Sequence, residues 1–227
     1  MNLPRHGELT LINLNDPQVW WFATRASAIL AWVLLTVSLV LGVLLRTRIM
    51  RGADDPDWLK SIHRFSSSLA VIMVVIHLVT LYLDEYIEFE IGDLLIPFQT
   101  DYKTDGVAVG IFAVYLLVAV VLSSWMMNSL PQPLWKFIHF GSYGILFLTA
   151  VHAGMVGYDT NQTWYQIVAV TLIVLGVSAA LVRYLIAVAQ RKRQLAEGKP
   201  AATRAVFGLV DKLALRVVKE IAKLDHL

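Results

Sequence analysis

His63, His77, His139 and His152 are the residues of this chain best suited to chemistry, because all four fall inside long apolar runs. Ionisable side chains are rare within a membrane and are functional candidates there by default. Any one of them alone would also serve as a hydrogen-bonded packing residue. Their spacing makes the difference. His63 and His77 are 14 residues apart, which on a helix places them within about 40° of one face and about 21 Å apart along the axis. His139 and His152 are 13 apart, about 20 Å along the axis but about 140° apart around it on an ideal helix. Both can face one partner only if that helix bends or rotates, and Gly141 and Gly144 lie where it could. One apolar run separates the two histidine-bearing runs, so they cross in the same direction. His63 then shares a level with His139, and His77 shares one with His152.

Two cross-helix pairs stacked across a bilayer do not suit a small ion. Chelation by one helix wants ligands three or four residues apart, and few carboxylates lie inside the runs to complete a zinc or iron site. A haem is flat and can wedge between two helices with one axial imidazole from each. Cysteine is absent, which excludes disulfides, iron–sulfur clusters and covalent c-type haem. The pattern therefore predicts two non-covalent b haems per chain, with His63, His77, His139 and His152 as axial ligands and no catalytic side chain assigned. Arg64 and Lys136 near the His63/His139 level, and Arg25 near the other, are candidates to meet haem propionates. For Arg25, snorkelling to the interface is the alternative. Ser66, Ser67, Ser68, Gly141, Gly144 and Gly154 are small enough to let a macrocycle approach the backbone, or to serve plain helix packing.

The elements that must position these residues follow from composition. Of 227 residues, 57% are hydrophobic and only 16% charged, with a mean hydropathy of +0.63. Soluble domains sit nearer 45–50% and about 25%, so an ordinary soluble enzyme, a disordered chain and a nucleic-acid binder are excluded. Five apolar runs, at residues 22–45, 61–83, 106–127, 134–156 and 164–187, are each long enough for a bilayer core of about 30 Å. The predicted fold is all-α: a polytopic membrane bundle of five transmembrane helices with a C-terminal amphipathic helix. Its segments are an outer N-terminal stretch (1–19) without a signal-peptide pattern, a haem-binding transmembrane domain (20–187), a basic linker (188–200) and the amphipathic helix (201–227).

Arg46, Arg48, Arg51, Lys60 and Arg64 crowd the first connection and Lys136 the third. Arg183, Arg191, Lys192, Arg193 and Lys199 crowd the end of the fifth run and the segment after it. The other side holds only Arg5, Arg25 and Lys103. The positive-inside rule then sets the N-terminus outside and the C-terminus in the cytoplasm, as expected for a plasma (inner) membrane protein. The second connection, 84–105, is acidic with an apolar patch at Leu94–Phe98. That patch either folds over the outer end of the bundle or merely touches headgroups. In the tail, Val206, Leu209, Val210, Leu213, Val217, Ile221 and Leu224 recur at helical spacing among Lys and Arg. Such a helix is too charged to span and would lie on the inner leaflet or dock a partner subunit.

Four strings carry a resemblance to a known family. They are Trp-Phe-Ala-Thr-Arg-Ala-Ser-Ala (21–28), Ile-His-Arg-Phe-Ser-Ser-Ser-Leu (62–69) leading to His77, Leu-Leu-Ile-Pro-Phe-Gln-Thr-Asp-Tyr (94–102), and Trp-Lys-Phe-Ile-His-Phe-Gly-Ser-Tyr (135–143) leading to His152. Over roughly residues 20–187 the chain resembles the ferric reductase-like transmembrane domain superfamily. That group includes ferric reductases, NADPH oxidases and the haem-binding subunit of a methionine sulfoxide reductase system. The resemblance implies two bis-histidine b haems and an electron-conducting core. Full reductases append a flavin and nicotinamide domain; here no G-x-G-x-x-G follows the fifth run, so ferric iron is not carried over as substrate.

The leading expectation is a di-haem b electron-transfer subunit, the membrane component of an oxidoreductase whose donor is a partner redox protein, flavoprotein or quinone. The same residues also fit a quinone-interacting cytochrome b anchor of a larger complex, or a non-redox assembly subunit.

Overall fold

The computed structural model describes residues 17–47 and 56–196. The described residues form helices without strands. α1 (Pro17–Thr47), α2 (Pro56–Leu83), α4 (Thr104–Trp125) and α7 (Thr163–Ala196) are long; α3 (Ile91–Leu95) is a short surface turn; α5 (Gln132–Phe140) and α6 (Ser142–Val156) follow one another directly. Among the described residues, five segments are long and apolar enough to cross a membrane, with α5 and α6 together making the fourth. The all-α membrane bundle read from the sequence is thus what the chain forms. The amphipathic helix expected at 201–227 lies outside the described residues, as do residues 1–16 and 48–55.

The helices outrun the apolar runs at several ends. α1 has 31 residues, about 46 Å at 1.5 Å each, which is longer than the roughly 30 Å hydrocarbon core of a bilayer. α7 continues past Ala187 through Arg191, Lys192 and Arg193. Helical hydrogen bonding does not stop where hydrophobicity does. Pro17 and Pro56 open α1 and α2, where a missing N–H costs nothing and a fixed φ favours the first turn.

The fourth span is broken at Gly141. Its N–H bonds the Ile138 carbonyl at 2.8 Å, a three-residue closure, before Ile145 resumes helical bonding to the Gly141 carbonyl. A Cβ there would meet Ile138 O at 2.8 Å and Leu116 Cδ1 at 3.0 Å. A side chain there would press on a backbone carbonyl on one side and on α4 on the other, so one of them would have to shift.

α1 packs along α2, and α4 along α6. In lipid no hydrophobic force drives helices together, so small and hydroxyl residues fill such contacts. Ser27, Thr36, Ser38, Ser66, Thr80 and Ser123 are buried. Thr36 and Thr80 return their hydroxyls to carbonyls four residues back at 2.9 Å, which satisfies them within the helix. Large apolar side chains face outward instead: Phe65, Phe147, Ile167 and Val177 are each more than 60% exposed, which lipid tolerates and water would not. Trp32 packs with Tyr165 and Leu172 of α7.

The second connection splits between its two expected behaviours. Phe89 is buried against Val107 and Ile111, with Leu94 beside them. Leu95, Ile96 and Phe98 remain exposed.

Candidate functional site

The structure brings the four intramembrane histidines together as two pairs at two levels. His63 of α2 faces His139 of α5, with ring centroids 6.4 Å apart and planes at 71°. His77 of α2 and His152 of α6 line one cavity of about 260 Å³. The break at Gly141 interrupts the fourth span between two histidines 13 residues apart, and each of them meets a histidine of α2.

Each imidazole is held from behind by a different helix, always through Nδ1. His63 Nδ1 lies 3.0 Å from the Ser38 carbonyl and 3.3 Å from Ser38 Oγ. His77 Nδ1 lies 3.0 Å from the Thr24 carbonyl, and His152 Nδ1 lies 2.8 Å from the Gly106 carbonyl. A carbonyl can only accept, so Nδ1 carries the proton in these three rings and Nε2 keeps its lone pair. His139 Nδ1 lies 3.4 Å from Ser124 Oγ. Ser124 sends its own proton to the Val120 carbonyl at 2.7 Å, so its oxygen accepts from His139 as well. α1 therefore orients both histidines of α2, and α4 orients both histidines of the fourth span. Trp135, one turn before His139, stacks on its ring at 5.0 Å and 23°.

Arg25 reaches the cavity of His77 and His152 but not alone. Its Nε donates to Asp159 Oδ2 at 2.8 Å and its Nη2 to Asp159 Oδ1. The guanidinium also stacks over Trp21, 4.0 Å from the ring centre. The Asp159 side chain is 8% exposed and that of Arg25 24%. A half-buried guanidinium is well served by such a fork-shaped partner, itself buried. Asp84, also buried, lines the same cavity and accepts from the Tyr86 N–H at 3.1 Å. Arg64 is exposed, and Lys136 is exposed with its ammonium turned back to Gln132 at 3.1 Å. Neither is drawn to a histidine pair.

The small residues divide differently from expectation. Gly144 gives room to Leu116 of α4, as Gly141 does, and Gly154 has open space around it. The glycine against a histidine is Gly110 of α4: a Cβ there would stand 2.5 Å from His152 Nδ1. Gly42 of α1 lies against His63 at an ordinary 3.4 Å.

Two buried polar atoms on the cavity wall, Thr24 Oγ1 and Trp32 Nε1, have no hydrogen-bond partner among the described residues. Among those residues there is also no group of three or more His, Cys, Asp or Glu able to hold a metal ion. Two imidazoles per level suit a group that brings its other ligands with it.

Compared with known proteins, residues 27–150 match the family model of the ferric reductase like transmembrane component. The match includes His63, His77 and His139 and stops two residues short of His152. No curated protein and no solved structure matches the chain.

Proposed function

The chain belongs to the ferric reductase-like transmembrane family, and on that premise we propose that it is a di-haem b subunit carrying electrons across a membrane. What supports this reading most is the common posture of the four histidines. Each presents Nδ1 to another helix, in pairs at two depths. That is the arrangement that makes a neutral imidazole a good axial ligand through Nε2, because the second nitrogen's partner fixes the tautomer and raises ligand basicity.

The distance at one level also supports it. An imidazole nitrogen sits about 1.2 Å from its ring centre if ring bonds are about 1.35 Å. His63 and His139 would hold a haem between them: with imidazole–metal bonds of about 2 Å, two rings sharing one iron would have centres about 6.4 Å apart. The separation of His63 and His139 is 6.4 Å. The His77/His152 level offers a cavity, a glycine against one ring and two unpartnered polar atoms on its wall. These residues fit haem. When bound, haem supplies a one-electron couple. The chain's own residues orient the imidazoles, keep water out with apolar walls and tune potential by burial and hydrogen bonding.

In this reading Arg25, paired with Asp159 on the wall of the same cavity, would hold a propionate of a haem carried by His77 and His152. The charge bias of the connections supports a reading with that site toward the outer face of a plasma (inner) membrane and the C-terminus in the cytoplasm. Electrons come from a separate donor: a flavoprotein, another redox chain or a quinol.

Absorption and electron paramagnetic resonance spectra of purified protein test the ligation. The expected signal is low-spin, six-coordinate b haem that does not bind added cyanide or carbon monoxide readily. High-spin haem at both sites would remove the bis-imidazole assignment.

A further inference from the structure

Resting on the haem reading, a further assignment concerns two serines that the four-histidine pattern leaves without a role. We propose that Ser38 and Ser67 are positioning residues that set the reduction potential of the His63/His139 site.

The geometry is a closed loop of hydrogen bonds between α1 and α2. Ser67 Oγ donates to the His63 carbonyl at 2.6 Å. Its proton is thus committed, and at the 2.6 Å contact between Ser38 Oγ and Ser67 Oγ the donor is Ser38. Ser38 Oγ, its proton also committed, turns a lone pair to His63 Nδ1 at 3.3 Å. The circuit runs from the His63 N–H through both hydroxyls and back to the His63 backbone, while the Ser38 carbonyl shares the same N–H at 3.0 Å. Ser38 is buried. In such an environment linked hydrogen bonds polarise one another. The loop draws the Nδ1 proton away from the ring, makes Nε2 a stronger donor and favours the oxidised metal.

The equivalent place at the other level is built differently. His77 Nδ1 meets the carbonyl of Thr24, but the Thr24 hydroxyl has no partner among the described residues. A hydroxyl relay on His63 and none on His77 makes α1 a source of difference between the two sites. Small residues at the α1–α2 contact would also serve packing alone, and the test must separate these roles.

The experiment is a spectroelectrochemical titration of the purified, haem-loaded protein. The wave belonging to His63 is identified as the one lost in His63→Ala. Ser38→Ala should move that wave to more positive potential and leave the other in place. Ser67→Ala should move it in the same direction by less. The double variant should move it no further than Ser38→Ala, because Ser67 acts only through Ser38. Ser38→Thr, which keeps the hydroxyl, should restore the wild-type value. An unmoved wave in Ser38→Ala, equal movement of both waves, or additive single shifts would overturn the proposal. If Ser38→Ala does not assemble, Ser67→Ala decides, since it leaves the carbonyl bond in place: a shift supports the circuit and no shift overturns it. Wild-type protein with no haem on His63 would overturn the haem reading itself; two normal waves indifferent to these serines would overturn only this assignment.

Discussion

The ring of His152 lies against Gly110 so closely that a Cβ on the glycine would stand 2.5 Å from Nδ1 and 2.6 Å from Cε1. An aromatic ring held by the Gly106 carbonyl at 2.8 Å cannot yield like the tip of a flexible side chain. Gly110→Ala is therefore expected to displace His152 and lower haem retention at the His77/His152 site by about 10–100-fold, the usual effect of losing support behind a ligand. Haem at His63/His139 should persist. Optical spectra with haem quantification check this; retention of both haems would show that α4 can move aside.

Each histidine pair should empty independently. His63→Ala is expected to lose haem from its own level, and His152→Ala from the other. Each variant should fall from about two haems per chain to about one, because no neighbouring side chain replaces the lost axial bond. Loss of both haems in a single folded variant would mean that the two levels assemble as one unit.

Asp159 and Arg25 should be strongly coupled in stability. Removing one member of a largely buried pair leaves an uncompensated charge, which costs about 3–5 kcal/mol when burial is complete. Arg25 keeps about a quarter of its exposure, so Asp159→Asn is expected to cost on the order of 2 kcal/mol, below that fully buried limit. The double variant Arg25→Gln/Asp159→Asn should recover part of the loss. Thermal unfolding in detergent across the four proteins of the cycle gives the coupling; additive losses would contradict it.

Gly141→Val should damage the His63/His139 site more than the other. The new side chain would strike Ile138 O and Leu116, and both contacts lie beside the end of α5 that presents His139. The expected result is a weakened or high-spin haem at that level, read by electron paramagnetic resonance, with the second signal retained.

Much of this arrangement is legible in the sequence because helical geometry is regular. Residue spacing alone predicts that His63 shares a level with His139 and His77 with His152. The 140° mismatch in the fourth span demands a bend, and the chain breaks at Gly141. Other features are hidden for physical reasons. The acceptors behind three of the rings are backbone carbonyls of Thr24, Ser38 and Gly106, which every residue carries, so no residue type announces them. Asp159 is 134 residues from Arg25 and reads as an ordinary loop acid until the fold closes. Arg64 and Lys136 look placed for propionates by nearness in sequence, yet both are exposed and Lys136 bonds its own helix. Gly110 shows no special pattern among the small residues of α4. Phe89, outside the obvious apolar patch, packs into the bundle with Leu94 beside it, while Leu95, Ile96 and Phe98 of the patch face outward.

Whether this chain holds two haems on its four histidines is decided by a pyridine haemochrome assay set against protein concentration. About two b haems per chain are expected in the wild type. A ratio near one would mean that one histidine pair is only structural, and a ratio of zero in folded protein would contradict the electron-transfer function altogether.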